Sequence, residues 1–216
     1  MDPSRHWEGI YSTRAPEDVG WFEPDPVTSR RLIAKAVEDG AQSVIDIGGG
    51  ASRLVDHLLD LRFERLAVLD LSEAGLNLTK DRLGAKAEQV EWIVGDVTRI
   101  EDIGQFDVWH DRALFHFLIT PPERERYVRL AEQTLRPGGT AIMGTFASDG
   151  PERCSGLTVC RYDPDDLAAT CGPGFERMHS ERHVHITPMG VPQSFVYSSF
   201  RRYGPRLMPF SKKPSQ

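Results

Sequence analysis

Five short apolar runs, each closing on polar or glycine residues, constrain this chain more than any other feature. Residues 43–47 stop at Gly48-Gly49-Gly50, and 66–69 stop at Asp70. Residues 90–94 stop at Gly95-Asp96, 106–109 stop at His110-Asp111, and 140–146 carry Thr145 near their end. Helical spacing separates them. Leu54, Val55, Leu58 and Leu59 mark a helix over 51–61; Ser72 can cap one over 72–83; another runs over 122–135 until Pro137-Gly138-Gly139. Apolar strands alternating with helices indicate a parallel sheet covered on both faces. In such sheets ligands bind beyond the carboxyl ends of the strands, where Asp46, Asp70, Asp96, His110-Asp111 and Thr145 all fall.

The pattern changes near the end. Residues 175–186 and 193–201 read as strands joined by Thr187-Pro188-Met189-Gly190-Val191-Pro192, with no helix between them, so an antiparallel hairpin is expected. Upstream, residues 1–26 are rich in aromatics, charges and prolines (Trp7, Tyr11, Trp21, Phe22), as a short helix followed by an irregular segment. Pro26 can open the next helix, which carries Leu32, Ile33, Ala36 and Val37 and ends at Asp39-Gly40. The expected architecture is one α/β domain over 1–216: a Rossmann-like, doubly wound, seven-stranded sheet with a terminal β-hairpin. Residues 1–26 form a cover segment and 203–216 a flexible tail.

The formal net charge of −6 argues against a general nucleic-acid binder, which needs a basic face to neutralise phosphates. No apolar run is long enough for a membrane span, the start of the chain has no signal-like core, and a cytoplasmic protein is expected. Cys154, Cys160 and Cys171 have neither disulfide-framework nor zinc-site spacing, so no metal is expected.

The glycine turn lets a ligand approach the backbone. It does not fit the dinucleotide fingerprint, which from Gly48 requires glycine or alanine where Arg53 stands, and no P-loop lysine follows. Asp70 is placed to accept hydrogen bonds from ribose hydroxyls, with a solvated strand-end acid as the alternative. Asp96 suits an adenine amino group, with Val97 backbone at the ring edge, or a helix N-cap.

Four segments together resemble the class I S-adenosylmethionine-dependent methyltransferases. They are Val44-Ile45-Asp46-Ile47-Gly48-Gly49-Gly50-Ala51-Ser52, Val68-Leu69-Asp70-Leu71-Ser72, Gly95-Asp96-Val97 and Leu135-Arg136-Pro137-Gly138-Gly139. The resemblance spans about residues 30–146, and the terminal hairpin suits the family's antiparallel seventh strand. It implies S-adenosylmethionine as cofactor and S-adenosylhomocysteine as product. Asp46 and Gly48-Gly49-Gly50 would hold the methionine amino group, Asp70 and Leu71 the ribose, and Asp96 and Val97 the adenine. His110 would border the methionine, and Trp21 would belong to an N-terminal cover over the site.

His110 and His116 are the candidate bases; a helix over 111–117 would put Arg112 and His116 on one face. Tyr11, Asp111, Arg112, Arg153, Cys154, Arg161 and Tyr162 are the candidate substrate contacts. The expected acceptor is a small molecule, with preference for a thiol or similar soft nucleophile; the alternatives are a protein lysine and a non-catalytic cofactor-binding regulator. A nicotinamide dehydrogenase fits less well. No Asn/Asp-Pro-Pro-Tyr-type motif follows the fourth strand, which argues against base-nitrogen or glutamine-amide acceptors. Either a monomer or a homodimer is compatible.

Overall fold

The computed structural model describes residues 2–203. Of the expected tail at 203–216, all but Tyr203 lies outside the described residues. The cover begins with α1 (Pro3–Thr13), capped by the Asp2 carboxylate on the backbone N–H of Ser4. Next come α2 (Val27–Glu38), β1 (Ser43–Ile47), α3 (Leu54–Asp60), β2 (Arg65–Asp70), α4 (Glu73–Leu83) and β3 (Glu91–Val94). They are followed by β4 (Phe106–Arg112), α5 (Pro121–Thr134), β5 (Leu135–Phe146), β6 (Arg153–Cys154) and β7 (Leu157–Thr158). The chain closes with α6 (Pro164–Cys171), β8 (Phe175–Ile186) and β9 (Pro192–Arg202).

Seven strands form one sheet in the order β3-β2-β1-β4-β5-β9-β8. The first five are parallel; β9 runs antiparallel to β5 and β8 antiparallel to β9. Chain order reverses direction between β1 and β4, which places the ligand-binding crevice at the ends of those two strands.

Alternate residues of the buried strands serve two cores. Val44, Val68 and Val108 pack with Leu32, Ile33, Leu54, Leu58 and Leu76, so α2, α3 and α4 cover one face. Ile45, Leu69 and Trp109 pack with Tyr127, Leu130 and Leu167, so α5 and α6 cover the other. Both strand sets are apolar because both faces are covered.

Three local expectations differ from the structure. The helix expected over 51–61 begins only at Leu54, because Gly48 and Gly50 hold positive φ and the turn extends through Ser52. The helix expected over 111–117 does not form. Asp111 and Arg112 instead pair with Met143 and Gly144 and prolong β4; Ala113, at φ 65°, ends the strand, and only a 3-10 turn follows at Phe115–Phe117. Helix α6 and the β6–β7 hairpin were not read in the sequence. Strand β5 starts directly after α5 at Leu135, upstream of the expected residue 140.

Candidate active site

The crevice holds two connected hollows. The larger, about 170 Å³, is lined by Gly48, Asp70, Leu71, Asp96 and Val97, and by Trp7, Tyr11, Trp21, Arg112 and Cys154. The smaller, about 50 Å³, is lined by Asp46, Gly48, Gly49, Ser29, His110 and Arg112. Tyr11, Trp21, Gly48 and Arg112 border both.

The glycine turn is pinned from below and from the side. The N–H groups of Gly48 and Gly49 donate to the Leu69 carbonyl of β2 at 2.7 and 3.2 Å. The Thr79 hydroxyl of α4 donates to the Gly50 carbonyl at 2.8 Å. A Cβ at Gly49 would stand 2.5 Å from Val68 Cγ1 and 2.8 Å from Asp46 Oδ2, so that position is closed to any side chain.

Asp70 is buried, and one oxygen accepts from the Ser72 N–H at 2.8 Å. Burial, more than the nearby Asp46 charge, raises its pKa to about 7. Asp96 accepts from the Thr98 N–H and hydroxyl at 2.8 and 2.7 Å; it closes a turn there, and no helix follows for it to cap.

The cover lies over this crevice through three attachments. Trp7 and Tyr11, one helical turn apart on α1, make edge contacts with Trp21 at 5.5 and 6.3 Å, and Trp7 makes another with Phe117 at 5.0 Å. The carboxylate of Glu8 accepts from the Ser72 hydroxyl at 2.7 Å and from the Ala74 N–H at 3.3 Å, and so supplies a negative charge to the amino end of α4. Glu23 lies 2.9 Å from Arg112, 3.3 Å from His185 and 3.5 Å from His183, and these partners outweigh burial and hold its pKa low. Neither Glu8 nor Glu23 stood out in the sequence, because an acid among aromatics carries no periodic signal. Glu8→Ala should therefore loosen the cover: a loss of about 1 kcal/mol in its docking is expected. Amide hydrogen exchange over residues 3–13 would rise; unchanged exchange would show that the aromatics alone hold it.

The candidate residues divide sharply. Arg112 Nη1 donates to the Trp21 carbonyl at 2.8 Å, and its guanidinium faces the Phe195 ring at 5.2 Å. Period-2 alternation on β4 puts His110 and Arg112 on the crevice side and Asp111 on the other. Asp111 thus reaches no hollow: it is fully buried, accepting from Tyr127 at 2.6 Å and from the Leu114 and Phe115 N–H groups. Arg153 donates to the Gly156 carbonyl and Arg161 to Gly150 and Glu152, so both brace their own surface loop. Tyr162 is core, tilted against Phe115 at 5.6 Å. Cys154 borders the larger hollow, where burial lifts its thiol to about 11.

His116 borders neither hollow. It is fully buried between Phe117 and Phe146; its Nδ1 accepts from the Phe146 N–H, and burial pushes its pKa down to about 3. His110 has both ring nitrogens engaged, with Asp46 at 2.7 Å and Ser29 at 2.9 Å. Among the described residues, no histidine lines the larger hollow, and His110 lines the smaller one with both nitrogens taken.

The methyltransferase domain family matches residues 44–139. A curated relative, "EEF1A lysine methyltransferase 2" of Danio rerio, is 26% identical over 195 residues, covering 82% of this chain and 76% of the relative. Among solved structures, one described as "Conversion of a Disulfide Bond into a Thioacetal Group during Echinomycin Biosynthesis" aligns with TM-score 0.73 and 17% identity over 93% of this chain and 91% of the other. A Burkholderia thailandensis 1,6-didemethyltoxoflavin-N1-methyltransferase, solved with that compound and S-adenosylhomocysteine, aligns with TM-score 0.66 and 19% identity over 93% and 85%. These two structures share the fold.

Proposed function

Given that the chain is a class I S-adenosylmethionine-dependent methyltransferase, we propose that it methylates a small-molecule acceptor bearing a thiol or similarly soft nucleophile. The observation that supports this reading is that the described residues lining the larger hollow include no histidine, while its acids Asp70 and Asp96 are given to the cofactor in the placement below. An amine or alcohol must lose a proton during transfer, whereas a thiol with pKa near 8.5 is already partly ionised at neutral pH. His116 borders neither hollow and is held neutral by burial, and His110 has both ring nitrogens engaged. Glu123, which also lines the hollow, is tied to the Thr120 N–H and hydroxyl.

The residues fit the cofactor. Asp70, Asp96 and Glu123 line the larger, mostly apolar hollow, and Asp46 and Glu23 the adjoining one. They suit a ligand that has a cationic end and sugar hydroxyls to donate. Asp70 with Leu71 would hold the ribose, Asp96 and the Val97 backbone the adenine, and Asp46 with the glycine turn the methionine amino group. When bound, S-adenosylmethionine supplies a methyl group already activated on a sulfonium. What remains for the protein is alignment and exclusion of water, an effect worth ~7–11 kcal/mol in favourable cases. Trp7, Tyr11 and Trp21 enclose the hollow for that purpose, and Arg112 with Cys154 borders the space left for the acceptor.

A protein lysine acceptor is the second reading, favoured by the name of the Danio rerio relative. Labelled cofactor offered to thiols, amines, phenols and denatured cell protein separates the two. Transfer to a small thiol is expected; label appearing only on protein lysines would overturn the proposal.

A further inference from the structure

Ser29, His110 and Asp46 form an unbroken buried chain. Ser29 Oγ is 2.9 Å from His110 Nε2, and His110 Nδ1 is 2.7 Å from Asp46 Oδ1. The three come from three elements, α2, β4 and β1, and are 0%, 1% and 3% exposed. The order of groups is that of a hydrolytic triad, but the hydroxyl is sealed beside a hollow of only about 50 Å³, too small for an ester substrate.

A different task suits the chain. A carboxylate at a strand end has two nearly equivalent oxygens and a soft side-chain torsion. A hydrogen bond from His110 ties Oδ1 and thereby orients the group. When the Ser29 hydroxyl donates to Nε2, the imidazole hydrogen is kept on Nδ1, pointed at Asp46. The other oxygen, Oδ2, lies against the Gly49 backbone, 2.8 Å from where a Cβ would stand, on the wall of the smaller hollow.

We propose that Ser29 and His110 are positioning residues that hold Asp46 oriented toward the cationic amino group of the cofactor's amino-acid tail. By this device the site discriminates a nucleoside carrying that tail from one lacking it. The inference rests on the cofactor placement given under Proposed function. It also explains why His110 lies at the crevice without being free as a base.

Calorimetry of the full chain with two probes tests it: S-adenosylhomocysteine, which has the tail, and 5′-methylthioadenosine, which has the same nucleoside without it. Ser29→Ala should lower S-adenosylhomocysteine affinity several-fold, and His110→Gln by about tenfold or more, the scale typical of lost outer-shell support. Affinity for 5′-methylthioadenosine should stay within about twofold in both variants, which also reports that they are folded. An unchanged ratio of the two affinities in both variants would overturn the positioning role. A wild-type protein that binds S-adenosylhomocysteine no better than 5′-methylthioadenosine would overturn the placement of the tail on Asp46 itself.

Discussion

Asp70→Asn is expected to weaken cofactor binding by about a hundredfold while making the ligand-free protein more stable. On the proposed ribose placement, the binding loss follows from replacing a charged acceptor of two hydroxyl hydrogen bonds by a neutral amide, at about 1.5 kcal/mol or more per bond. The stability gain follows from linkage. Burial raises the Asp70 pKa from 3.8 to about 7. A carboxylate raised in the folded state binds more protons there than in the unfolded chain, so stability falls as pH climbs from about 4 to 7. Above pH 7 the charge costs the fold on the order of 3–4 kcal/mol, which asparagine removes. Cofactor affinity should run the other way, rising with pH through about 7 as the carboxylate ionises. Calorimetric titration together with thermal melting at pH 5 and 8 reads both effects. Unchanged affinity in the variant would refute the ribose assignment, and a destabilised variant would refute the buried-charge account.

Tyr127→Phe should be among the more damaging single-atom deletions in the fold. The Tyr127 hydroxyl accepts from Trp109 Nε1 at 2.8 Å and donates to Asp111 at 2.6 Å, and all three side chains are buried. Removing it orphans an indole N–H and strips a buried carboxylate of one donor, a loss of about 2–4 kcal/mol. At ~2–4 °C per kcal/mol for a domain of this size, the melting temperature should drop by roughly 5–15 °C. Burial raises the Asp111 pKa to about 6, so the hydroxyl supports the ionised form chiefly above that pH. The loss should therefore be larger at pH 8 than at pH 5. A shift under 2 °C, on that same scale, would mean that water replaces the hydroxyl.

The order of strands and the terminal hairpin were legible because a fully covered sheet demands apolar runs, and because six residues without helical period cannot cross over between parallel strands. The reach of β4 was not. Its last residues, His110-Asp111-Arg112, are polar; they extend as a strand because β5 offers Met143 and Gly144 as partners, a pairing between residues about 30 apart. That extension reversed the expected neighbours. A helix would have joined Arg112 to His116, whereas the strand joins Arg112 to His110 and turns Asp111 inward.

Sequence by itself determined the fold, the glycine turn and the acids at Asp46, Asp70 and Asp96, since strand-end position depends only on local pattern and chain order. Only the tertiary structure decided which histidines are free, what Glu8 and Glu23 hold in place, and that Ser29 reaches His110 from a helix 81 residues away. Those outcomes depend on the direction of side chains across packed elements, and burial, not residue type, then decides whether an imidazole or a carboxylate can exchange a proton.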